Sequence, residues 1–312
     1  MVDTLKTSSK YSLKDAFNEI GFSDNVNSLL NLAKQSINKD TVAIHLRTGD
    51  VLYGQYRKFV NYTYKGLCLP LVEKIIKDEI LLGNNIVLFG QESGVLNHLK
   101  EKYNVTISDD LVPNHISDST ELAIFEMALM SNCKSIIAGS SGFAKISSRI
   151  GNIKLEPGFR RYRAAEQTEF ILQHLSNCDS HYNDNHSAFS YWYAYFYGRQ
   201  NKSNRESIDI LKKASHFDPN NEVYKLIMFF LANESENKKE TNYLAKEIID
   251  AGFTKLSIEG SSYKSILTSR TTGKLNLNEY ISKFRYDKAN ETYDQFGHEL
   301  CSMIDETLKE LN

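Results

Sequence analysis

Three short runs in this sequence combine side chains and glycines in ways that suit the binding of an anion. The first is Ile44-His45-Leu46-Arg47-Thr48-Gly49-Asp50. The β-branched stretch before Arg47 reads as a strand, which puts the arginine at a strand's carboxyl end, where open α/β sheets bind ligands. A guanidinium there is a planar fork of donors matched to phosphate oxygens. Gly49 lets the backbone turn tightly against a ligand, and Asp50 is placed to orient Arg47 or to cap the next turn. His45 and Asp50 are also the positions from which a proton could be taken. A plainer account of the same run is a loop in which Arg47 and Asp50 simply pair.

The second run, Ala138-Gly139-Ser140-Ser141-Gly142-Phe143, again passes from strand to helix. Two hydroxyls and the free N–H groups of a helix start form an anion site. Neither the P-loop pattern nor G-x-G-x-x-G is present, and a serine N-cap accounts for the same residues. The third run spans Asp118 to Glu126 and opens the helix that feeds this strand. A carboxylate at Asp118 or Glu121 suits a ribose or base edge, or else complements the helix dipole. Gln91 and Glu92 follow the strand-like segment NIVLFG and belong to the same edge.

These runs need a scaffold, and the surrounding pattern describes one. From 41 to 155, short β-branched runs (41–46, 85–90, 105–108, 134–139) alternate with amphipathic stretches (67–82, 93–103, 119–133, 141–151). Such alternation predicts βαβ units and a Rossmann-like parallel sheet in an α/β domain over 41–160. The first 40 residues read as a polar helical segment. After residue 160 the strand pattern gives way to helices, predicting an all-α region over 161–312. Its stretch around 188–221 has the register of a tetratricopeptide repeat, with Tyr191, Ala194, Leu211, Ala214 and Pro219 at packing positions and Tyr195 where that repeat has glycine. The aromatic cluster 191–197 reads as the core of that packing, and 254–312 ends in an amphipathic helix from about Tyr293.

Composition narrows the function classes. The net charge is −2, so a basic surface for nucleic acid is not expected. Cys68, Cys133, Cys178 and Cys301 are scattered without a C-x-x-C pair, which argues against a disulfide framework or a structural zinc site. His181, Asp184 and His186 lie in a polar stretch read as a linker. No run is long and apolar enough for a membrane span, and the first residues lack a secretory apolar core, so a cytoplasmic protein is the expectation.

Taken together, the three runs resemble the donor-binding half of the fucosyltransferase superfamily, which includes the α-1,2-, α-1,6- and protein O-fucosyltransferases of the two-domain GT-B fold. The resemblance lies in H-x-R-x-G-D (His45, Arg47, Gly49, Asp50), then a helix, then a strand ending S-S-x-F (Ser140, Ser141, Phe143). It covers about a third of the chain, residues 40–155. It implies a glycosyltransferase that takes a nucleotide-diphosphate sugar, GDP-fucose first among them, and passes the sugar to a glycan acceptor. Arg47 would hold the β-phosphate, with His45 beside it. Ser140 and Ser141 would donate to the diphosphate, and Gln91, Glu92, Asp118 and Glu121 would meet ribose or base. No metal or other cofactor is implied, so Asp109-Asp110 reads as a turn.

This sequence departs from the family at Thr48, where a second arginine is frequent. It also has about 40 residues where the family carries an acceptor-binding α/β half. Acceptor binding would then fall to the helical region or to another subunit. The alternative is a non-catalytic scaffold, with a degenerate Rossmann-like domain and helices that take a protein partner.

Overall fold

The structure, a computed structural model, describes residues 12–116, 118–177, 182–252 and 295–311. Ser117, Cys178, His181, the first eleven residues and most of the stretch 254–312 lie outside the described residues, with the expectations attached to them. Chain contacts divide the protein into two units that are not contiguous in sequence. The first comprises Met1–Thr48, Lys65–Leu67 and Val72–Arg161; the second comprises Gly49–Tyr64, Cys68–Leu71 and Tyr162–Asn312.

The first unit is built on five parallel strands: β1 (Thr41–Leu46), β2 (Asn85–Gly90), β3 (Thr106–Ile107), β4 (Ser135–Ala138) and β5 (Lys154–Pro157). Their order across the sheet is β3-β2-β1-β4-β5. His45 stands opposite Phe89 of β2 and Ala138 of β4, so three strands end side by side. The inner strands are apolar on both faces, as a sheet covered on both sides requires. Ala43, Val87, Phe89, Ile136 and Ala138 form one face. They pack with Leu29 and Ala33 of α2 (Asp24–Ser36), Phe125 and Leu129 of α6 (Ser119–Ser131) and Ala144 of α7 (Gly142–Gly151). Val42, Ile44, Leu46, Ile86, Leu88 and Ile137 alternate with these residues and are equally buried.

The preceding helix α1 (Leu13–Asn18) opens on a capping box between Ser12 and Asp15. Between the strands run α4 (Leu69–Leu81), whose residues from Val72 belong to this unit, and α5 (Ser93–Tyr103). Buried carboxylates here are structural. Glu73 meets Lys102 at 2.7 Å, and Glu79 meets Arg161 at 2.5 Å. Each charge is thereby neutralised where water cannot do it.

The second unit is helical. Between β1 and the main body of α4 it contains the short α3 (Gly49–Leu52) and two 3₁₀ turns, Gln55–Lys58 and Val60–Lys65, the last of whose residues belongs to the first unit. It continues through α8 (Ala164–Asn177), α9 (Asp184–Gly198), α10 (Asn204–Phe217), α11 (Glu222–Glu234), α12 (Lys238–Asp250) and α13 (Gln295–Leu311). Among the described residues, each of these helices packs on the one named after it. Because α9 lies between α8 and α10, it is buried nearly all round: Tyr191, Trp192, Tyr193, Ala194 and Tyr195 are all at or below 8% exposed. Leu211 and Ala214 of α10 are fully enclosed. Gly198 ends α9 where a Cβ would meet the Thr168 hydroxyl at 2.6 Å, so only glycine fits there without displacement.

Candidate functional site

In this strand order the chain leaves β1 toward β2, on one side, and leaves β4 toward β5, on the other. The crevice between the carboxyl ends of β1 and β4 is the topological switch point, the place where open α/β sheets receive ligands. Both of the sharpest sequence runs emerge there. Because His45 pairs with Ala138, Arg47 leaves β1 next to the Gly139–Ser141 turn. Because Leu46 pairs with Gly90, Gln91 leaves β2 on the other side of Arg47.

The β4 side is a helix N-terminus. Ser141 is the N-cap of α7: its buried hydroxyl oxygen accepts from the Ala144 N–H at 3.4 Å, which leaves its own O–H able to donate. Ser140 and Gly142 are exposed beside it. The N-cap account of this run therefore holds, and it coexists with an anion-binding geometry.

On the β1 side, the His45 ring lies against Phe143 in the first turn of α7, with centroids 6.1 Å apart. Burial, and second the Arg47 charge, lower its pKa to about 4. The imidazole is thus neutral at ordinary pH. Its Nδ1 is buried without a hydrogen-bond partner. Three residues on, Thr48 is 2% exposed and its Oγ1 is likewise unpartnered. Buried polar atoms are almost always satisfied, so these two at the end of one strand call for a partner, and an ordered water or a polar ligand would each supply one. Thr48 was legible only as a departure from a family pattern. Its signal, a hydroxyl set between the arginine and the glycine of a strand-end turn, is weak by residue type alone.

The other expected site residues are distributed differently. Asp118 is the N-cap of α6 and accepts from the Thr120 and Glu121 N–H groups at 2.9 and 3.0 Å. These two bonds, Glu121 first, hold its carboxyl below the usual carboxylate range. Glu121 accepts from Asn25 of α2 at 2.5 Å. Both are engaged in tying α6 down, although α6 begins at the same sheet edge. Gln91 is exposed and Glu92 partly so, just before α5. Gly49 and Asp50 open α3, which belongs to the second unit. Asp110 closes its own 3₁₀ turn by accepting from the Ile107 N–H at 3.3 Å and pairs with Lys100. Among the described residues no group of three or more His, Cys, Asp or Glu is placed to hold a metal ion. Buried Cys68 and Cys133 have thiol pKa values pushed up to about 12 by burial, which makes them poor nucleophiles.

A further carboxyl, Glu126 of α6, accepts from Ser108 Oγ at 2.9 Å just beyond β3. Burial raises its pKa, and the Asp109 charge adds to the rise.

Compared with protein-family models, curated proteins and solved structures, the chain matches none.

Proposed function

We propose that the first unit binds a nucleotide-diphosphate sugar, with a GDP-sugar such as GDP-fucose as the first candidate, and that the protein is a glycosyltransferase. The observation that carries this reading is the convergence of four groups at the switch point. These are Arg47, the α7 N-terminus capped by Ser141, and the two unpartnered buried atoms His45 Nδ1 and Thr48 Oγ1. A diphosphate supplies acceptor oxygens to the guanidinium and the helix N–H groups. Phosphate oxygens or sugar hydroxyls supply partners for the two orphans. The resemblance of H-x-R-x-G-D and S-S-x-F to the fucosyltransferase superfamily supports the choice of donor.

In the reaction so read, the bond between the anomeric carbon and the β-phosphate oxygen breaks, and its electron pair stays on the diphosphate. An acceptor hydroxyl oxygen bonds the anomeric carbon, and its proton leaves to a base. Arg47 meets the charge as it develops on the leaving group, so it acts more strongly in the transition state than in the ground state. His45 and Asp50 are the candidates for that base by their positions in the sequence; burial and the Arg47 charge make the His45 imidazole a weak base.

Calorimetric titration of the full chain with GDP, UDP, CMP and ADP tests the reading. GDP should bind selectively, and Arg47→Ala should weaken it by about 2–5 kcal/mol while the chain stays folded. Equal binding by parent and variant would remove Arg47 from the site, and no nucleotide binding at all would remove the reading. The second reading, a scaffold, is favoured by the serial packing of α8 through α12, since stacked helix pairs present extended binding surfaces. It expects a stable complex with another protein and no nucleotide affinity.

A further inference from the structure

Two consecutive arginines follow β5, and their side chains are used differently. The Arg161 guanidinium is committed to the fold: it pairs with Glu156 at 3.2 Å and with Glu79 of α4 at 2.5 Å. Arg160 is exposed, and among the described residues it pairs with no carboxylate. Its contact is with the neighbouring ring of Phe159, whose centroid lies 5.6 Å from Arg160 Cζ. An aromatic face steadies a guanidinium and leaves the N–H donors at its rim for another partner, whereas a carboxylate would occupy them.

The 3₁₀ turn that carries Arg160, Gly158–Arg160, is fixed beside the end of β4. The Arg161 N–H closes it by donating to the Gly158 carbonyl at 3.2 Å. Gly158 is buried, and a Cβ there would come to 3.0 Å from the Leu67 side chain and 3.4 Å from that of Ile137 in β4. Pro157 of β5 stands opposite Ala138 on one side of β4, as His45 of β1 does on the other. Arg47 and Arg160 therefore leave their strands on opposite flanks of the Gly139–Ser141 turn. Adjacent strands lie about 4.8 Å apart, within the span of an arginine side chain. All of these residues belong to the first unit.

We infer that Arg160 is a second phosphate-binding residue of the switch point, so that a diphosphate is held between an arginine of the β1 end and an arginine of the β5 end, over the N-terminus of α7. Arg160 takes this role only if the crevice is the diphosphate site already read there. A helix end offers about half a positive charge, and one guanidinium adds one more. A diphosphate carries a larger negative charge, and a second fork on the opposite flank meets the phosphoryl group that the first does not. Buried His45, with Nδ1 unpartnered and its ring against Phe143 in the first turn of α7, adds a further unused polar atom to the same crevice.

Calorimetric titration of the full chain with sodium pyrophosphate, orthophosphate and GDP tests this in Arg160→Gln and Arg47→Ala. Arg163→Gln is the control of equal charge change, since Arg163 is also exposed but belongs to the helical unit. The parent should bind pyrophosphate and GDP, and Arg160→Gln should weaken both by about tenfold or more while keeping the parent's circular dichroism. Arg163→Gln should leave both unchanged, and orthophosphate should bind the parent more weakly than either. Diphosphate binding lost in Arg47→Ala but kept in Arg160→Gln would overturn the role of Arg160 and leave the nucleotide site standing. Pyrophosphate binding that depends on Arg160, without selective GDP binding, would support the two-sided clamp and defeat the transferase. Equal losses in Arg160→Gln and Arg163→Gln would overturn the clamp, because general charge alone would then account for them. A parent that binds no diphosphate, or takes orthophosphate as tightly as pyrophosphate, would overturn it as well.

Discussion

At the scale of single residues, the charge state of His45 links stability to pH. Its side chain stands on the β1 edge between Phe143 and the Arg47 charge, and its pKa falls to about 4 from an ordinary 6.5. Above pH 6.5 the imidazole is neutral in both folded and unfolded chains and contributes no slope. Between pH 6.5 and 4 the unfolded chain binds a proton that the folded chain refuses, so stability falls as the pH falls, by at most about 3 kcal/mol. Urea unfolding at pH 7 and pH 4.5 should therefore show a drop for the parent that is smaller in His45→Gln, whose amide cannot titrate. An equal drop in both proteins would place the acid sensitivity elsewhere.

At the scale of elements, the tightest constraint on the sheet's covering layer is Gly151, the last residue of α7. A Cβ there would lie 2.1 Å from the Ser131 carbonyl oxygen at the end of α6, and that neighbour is backbone rather than a movable side chain. Gly151→Ala should cost about 3 kcal/mol, because α6 and α7 must part to admit the methyl. Gly94, in α5, has nothing within 4 Å of such a Cβ. Gly94→Ala should instead be neutral or stabilise by up to about 1 kcal/mol. Denaturant midpoints of the two variants check the contrast, and similar values would show that α6 and α7 slide freely. The strands β1 and β2 and the helix α5 were legible because apolar runs of the right length are bounded by polar or glycine residues. β5 was not: Lys-Leu-Glu-Pro has no strand pattern, and it forms because β4 offers a free edge with which it pairs. Arg47 and Ser141 could be read as strand-end residues from local sequence. The engagement of Glu121 with Asn25 could not, because those residues are 96 positions apart and meet only once α2 packs on α6.

At the scale of the whole molecule, the path of the chain decides what can fold alone. Residues 49–64 and 68–71 interrupt the sheet unit in sequence but belong by their contacts to the helical unit. Within that unit they are fastened at several points. Asn183 donates to the Tyr53 hydroxyl at 2.6 Å, Trp192 to Thr63, and Arg57 and Lys58 pair with Asp218 and Glu222. Cys68 is buried, and close enough to Tyr193 to help raise that phenol's pKa, after burial and the neighbouring Tyr197. A cut near residue 161 would therefore strip α9, α10 and α11 of the segment that covers Trp192 and matches Asp218. It would also leave the fragment 1–161 with an aromatic stretch deprived of its anchors. Asp218 is 7% exposed, and a buried carboxylate without its cation is strongly destabilising. Residues 162–312 expressed alone should thus unfold at lower denaturant and with a shallower transition than the helical signal of the full chain. Adding back a peptide of residues 49–71 in trans should restore part of the difference. A fragment 162–312 as stable and as cooperative as the full chain would mean that the inserted segments ride on the helices without supporting them.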